Sequence, residues 1–144
     1  MIGMDILKPA VALMAWTMVV WLWMYATRIP AMGKAGIDAG KLQGGTGKDL
    51  DAVLPPQVQW KAHNYNHLHE APTLFYAVAL VLAVLGQGSG LNAALGWAYV
   101  ALRVLHSLVQ VTVNRVVIRF LLFALSSLVL IALIVHAGIA VFHG

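Results

Sequence analysis

Hydrophobic positions in this chain gather into four long runs, roughly Ile6 to Ala26, Gln57 to Gly86, Leu91 to Val113 and Val116 to Phe142. Each is long enough to cross a hydrocarbon core of about 30 Å as a helix rising about 1.5 Å per residue. None shows the two-residue alternation of a barrel strand. Because a segment in lipid must pair its own backbone groups, helices are the predicted elements. The pattern therefore predicts an all-α integral membrane protein, a four-transmembrane-helix antiparallel bundle forming one domain over residues 1–144. Its only long connection, 27–56, carries Gly33, Gly36, Gly40, Gly44, Gly45 and Gly47 with Pro30, Pro55 and Pro56, and predicts a glycine-rich loop.

Composition agrees with this solvent: 61% of residues are hydrophobic, 10% are charged, and mean hydropathy is +0.84. The apolar stretch after Lys8 has the start of a signal peptide, but it is long, lacks a small-residue cleavage motif, and is closed by Trp21, Trp23, Tyr25 and Arg28 like an interfacial belt; a retained helix is expected. The absence of cysteine excludes disulfides and a protein thiol nucleophile. Arg28, Lys34, Lys41, Lys48, Lys61, Arg115 and Arg119 flank the first and third connections, whereas Gly86 to Gly90 has no basic residue. By the positive-inside bias the first and third connections, loop 27–56 included, are cytoplasmic and both termini lie outside, in what is expected to be a bacterial inner membrane. Charges at helix ends suit membrane lipid as a partner and not nucleic acid. Gly44-Gly45-Thr46-Gly47-Lys48 is not a phosphate loop, since Leu42 and Asp49 replace the required glycine and hydroxyl and no strand precedes it.

Candidate chemistry begins at Lys61-Ala62-His63-Asn64-Tyr65-Asn66-His67-Leu68-His69-Glu70-Ala71-Pro72, a polar run at the cytoplasmic mouth of the second helix. Imidazoles and a carboxylate there are costly unless the protein interior uses them. His63, Asn66 or His67, and Glu70 share a face by helical spacing, and Pro72 is expected to weaken the ladder near them. Arg103 stands near the middle of the third helix, with His106 and Gln110 on the same stripe. An intramembrane arginine needs a partner, and an Arg103–Glu70 ion pair is predicted, either purely structural or part of a ligand site. The expected ligand-binding residues are Asn66, His67, Glu70, Arg103, His106, Gln110 and Arg115. They would form a cationic crevice for a small anionic or zwitterionic molecule, with a hydrophobic small-molecule substrate arriving from the bilayer. His63 and His67 could share a metal ion by spacing, but nothing completes the set and no metal site is expected. His136 is expected to be an interior hydrogen-bonding group.

On these residues the chain resembles the MAPEG family, the membrane-associated proteins in eicosanoid and glutathione metabolism. The carriers are Asn64-Tyr65, Leu68-His69-Glu70-Ala71-Pro72-Thr73-Leu74-Phe75-Tyr76, Arg103-x-x-His106-Ser107, Asn114-Arg115 and Arg119-Phe120. The resemblance implies a homotrimer with ligand sites between subunits, glutathione as the cofactor held by residues like Glu70, Arg103, His106 and Arg119, and Arg119 as the catalytic residue that stabilises the thiolate. The chain departs from the pattern at Gln110 and Phe123, where several members carry aromatic hydroxyls. The activity implied is a glutathione-dependent transferase or peroxidase acting on lipophilic substrates. The alternative is a non-catalytic, lipid-binding or accessory subunit of a larger membrane complex.

Overall fold

The computed structural model describes residues 2–144. Its long helices are α1 (Leu7–Lys34), α2 (Pro56–His67), α3 (Ala71–Val84), α4 (Leu91–Val111) and α5 (Val116–His143), with short 3-10 turns at Met4–Ile6, Ala39–Lys41 and Gly47–Leu50. Taking α2 and α3 together, four segments are long and apolar enough to span a membrane: Met4–Lys34, Pro56–Val84, Leu91–Val111 and Val116–His143. Helix α1 continues past Ala26 to Lys34, with Pro30 inside it, so the connection to α2 is shorter than the apolar pattern indicates.

The second span is broken where the sequence predicted only a weakened ladder. Pro72 has no N–H to give Leu68, and its ring would crowd that carbonyl, so a straight, fully bonded helix cannot pass. The chain instead closes α2 with tight bonds from Leu68 N to Asn64 O (2.9 Å), His69 N to Asn66 O (3.1 Å) and Glu70 N to His67 O (3.1 Å). Glu70 then takes φ −92°, ψ −103°, outside the helical region, and α3 begins at Ala71. The Thr73 hydroxyl donates to the Glu70 carbonyl at 2.6 Å and holds the new start.

The core lies between α1, α3, α4 and α5. Ile6, Leu13, Val20, Phe75, Leu82, Tyr99, Val100 and Leu133 are buried there, and the Phe75 and Tyr99 rings stack at 4.5 Å between centroids. Backbone approach closes the end away from the basic residues: Gly3 N donates to Ala83 O (2.7 Å) and Ile6 N to Gly88 O (2.8 Å). A side chain at Gly88 would collide with the Gly3 backbone, so glycine is required there. At the basic end α4 stops where Asn114 adopts φ +49° and its N–H bonds Val109 O at 2.7 Å. Helix α5 packs on α4 and α3 and leaves Val116, Phe120, Leu128, Ile131 and Ile139 exposed, as a lipid-facing helix does.

Candidate functional site

Helix α4 supplies the polar interior. Arg103, His106, Ser107 and Gln110 recur at helical spacing and are all buried, Arg103 completely at 0% exposure. Helix α2 meets this stripe with two side chains. Asn64, also fully buried, donates from Nδ2 to Gln110 Oε1 at 2.9 Å, and Arg103 Nη2 donates to His67 Nδ1 at 2.9 Å. A guanidinium only donates, so His67 Nδ1 must be an acceptor; its ring is neutral and carries its proton on Nε2.

The predicted Arg103–Glu70 ion pair is not formed. Glu70 is exposed and takes part in none of the salt bridges among the described residues. The reason is the break: a continuous helix would keep Glu70 one turn from His67 on the inward face, whereas the non-helical backbone at Glu70 turns it away and leaves His67 as the partner of Arg103.

Beside this pair lies a crevice of about 250 Å³ lined by His67, His106, Val116, Arg119, Phe120 and Phe123. The His67 and His106 rings are 4.9 Å apart, and His67 meets the Phe123 ring edge-on at 6.0 Å. Arg119 is half-buried, one turn into α5, and its Nε is buried without a protein partner. Arg103 Nε and Nη1 and His106 Nδ1 are likewise buried and unpartnered. The unpaired guanidinium N–H groups are donors and favour an acceptor-rich, anionic guest, while His106 Nδ1 donates or accepts according to its tautomer.

Of the residues singled out in the sequence, the structure brings His67, His106 and Arg119 to one crevice, with Arg103 directly behind His67. Gln110 turns to Asn64 instead. Asn66, Glu70 and Arg115 are exposed and outside the crevice lining. Asn64 was legible only as part of a motif; its buried polar amide facing Gln110 depends on contact between distant helices.

A second polar group sits where the 46–51 segment folds over α1 and α2. Asp51 Oδ1 accepts from Gln59 Nε2 (2.6 Å) and from His63 Nε2 (3.0 Å), while Gln59 Oε1 accepts from Arg28 Nη2 (3.2 Å) and Gln59 Nε2 also donates to Gly47 O (3.1 Å). The hydrogen bonds from Gln59 and then His63 hold the Asp51 carboxyl below its ordinary value. Asn66 lines the cavity of about 460 Å³ beside this cluster. His63 and His67 thus diverge to different partners, and among the described residues no three His, Asp or Glu side chains gather as a metal-binding group.

Compared with known protein families, the chain matches the MAPEG family over residues 6–139. No curated protein and no solved structure matches the chain.

Proposed function

The chain belongs to the MAPEG family, and from that premise we propose a glutathione-dependent transferase or peroxidase that acts on lipophilic electrophiles at the crevice between α2, α4 and α5. The observation that carries this reading is the convergence of Arg119, His67 and His106 on one partly apolar crevice backed by the buried Arg103. Glutathione fits the donor set. Its carboxylates are acceptors for guanidinium and imidazole N–H groups, and its thiol is more readily ionised beside Arg119. Held by Arg119, His67 and His106, glutathione would supply a sulfur nucleophile: its thiol proton would pass to water at the open mouth, the sulfur lone pair would form the bond to the electrophilic carbon, and the leaving group would take the electron pair of the bond it breaks. Phe120, Phe123 and Val116 supply the apolar wall for the second substrate.

Arg103 is a positioning residue in this scheme, since it acts on the crevice through His67 Nδ1. Asn66, Glu70 and Arg115 are exposed at the same end, and we assign them to the face that meets a neighbouring subunit in a homotrimer, where they would reach a ligand held between chains. On this reading, which the positive-inside bias supports, the basic end lies in the cytoplasm of a bacterium with both termini across the inner membrane.

Calorimetry of glutathione with the protein in nanodiscs tests the reading. Saturable binding that weakens in Arg119→Ala supports it; no binding, together with wild-type behaviour of the variant, overturns it. Gln110 favours a second reading, because its amide is committed to Asn64 and leaves few polar groups facing the crevice. On that reading the protein is a non-catalytic bundle that binds lipid, or an accessory subunit of a larger membrane complex.

A further inference from the structure

At the opposite end of α5 from Arg119 lies a cavity of about 510 Å³, whose lining includes Gln87, Ser89, Leu91, Asn92, His136 and Ile139. Phe123 and His136 are separated by about 20 Å along the helix, so this cavity shares nothing with the crevice. Its hydrogen bonds run in one direction only. Asn92 Nδ2 donates to the Gln87 carbonyl at 2.8 Å, which places Asn92 Oδ1 toward α5. That oxygen is 2.6 Å from His136 Nδ1. An amide oxygen only accepts, so Nδ1 carries a proton and Nε2 is the ring nitrogen left to accept in the neutral tautomer. His136 is therefore held by Asn92 as an oriented hydrogen-bond acceptor at the mouth of a membrane helix.

We propose that this cavity binds the hydroxyl head of a lipophilic phenol dissolved in the bilayer, with His136 Nε2 accepting the hydroxyl proton in a hydrogen bond. The walls set the class. Leu91 and Ile139 are largely exposed on the lipid side, at 65% and 55%, and offer an apolar track for a ring and tail. No lysine or arginine lines the cavity, and its second imidazole, His143, is exposed at the rim, so a phosphate head group lacks a fixed counter-charge there. A neutral donor head suits a neutral acceptor, and a phenol is a stronger donor than an alkyl alcohol. The site does not depend on thiol chemistry at the other end.

The test compares para-hexylphenol with para-hexylanisole, which has the same body and no hydroxyl donor, in phosphatidylcholine nanodiscs with empty discs as control. Histidine-labelled protein followed by nitrogen NMR should show a saturable shift of the His136 Nε2 signal with the phenol, and the anisole should bind about tenfold more weakly. Ile139→Trp, a lipid-facing change that fills the cavity without disturbing the core, should weaken the phenol about tenfold by ligand-observed NMR while thermal unfolding stays at the wild-type temperature. His136→Ala should do the same by ligand-observed NMR, and Arg119→Ala should leave phenol binding unchanged. Equal binding of phenol and anisole, wild-type binding in Ile139→Trp, or displacement of the phenol by an anionic phospholipid would overturn the proposal.

Discussion

His67 is the hinge of the site, because it alone satisfies a donor of the fully buried Arg103. Removing it takes away that one bond of the buried guanidinium, so His67→Phe should destabilise the protein by about 1 to 3 kcal/mol. Arg103→Met leaves only a neutral ring nitrogen unpaired and should cost about 1 to 3 kcal/mol. The double variant should lose less than the sum, a coupling that unfolding in detergent measures directly. Glu70→Gln should stay within about 0.5 kcal/mol of wild type, since its carboxylate is exposed; a loss as large as that of Arg103→Met would restore the pairing expected from sequence. The inward stripe of Arg103, His106 and Gln110 was legible because helical spacing alone determines a shared face. The partner was not, since it depends on which way the chain turns after His67.

Among the elements, α2 carries the consequences of Pro72. A proline in an apolar run announces a weak ladder, but whether the helix bends or stops depends on what each freed group can bond, and here tight bonds to Asn64, Asn66 and His67 carbonyls complete the stop. The short α2 is then pinned to α4 by Asn64 and Gln110. Gln110→Leu should cost about 1 to 3 kcal/mol by orphaning the buried Asn64 amide, whereas changing Asn64 and Gln110 together to leucine should recover part of that loss; equal losses in single and double variants would contradict the pin. The glycine-rich connection was read as irregular, and its grip on α2 through Asp51 was not readable, because Asp51 and Gln59 become neighbours only after the chain folds back. Asp51 is held below its ordinary 3.8, so its contribution is fully present above that value and is lost as pH falls through the lowered one. Amide protection in segment 46–51, taken relative to the intrinsic exchange rate at each pH, should fall as acid protonates Asp51, and Asp51→Asn should show the reduced protection already at neutral pH.

For the whole molecule, hydropathy was sufficient to read the four spans, since lipid leaves a chain few alternatives to helices. It could not place the crevice, which exists only because α5 lays Arg119, Phe120 and Phe123 against His67 and His106. Membership of the MAPEG family and the donors converging there lead to one central claim, conjugation of glutathione to lipophilic electrophiles at that crevice. The most direct measurement is turnover of glutathione with a chloronitrobenzene acceptor by the protein in nanodiscs, wild type against Arg119→Ala. The account predicts measurable conjugation, and a variant slowed about 10- to 100-fold at neutral pH whose rate recovers as pH rises, because a thiol without its guanidinium neighbour ionises later. No conjugation by the wild type, or a variant with the same rate and pH profile, would contradict it.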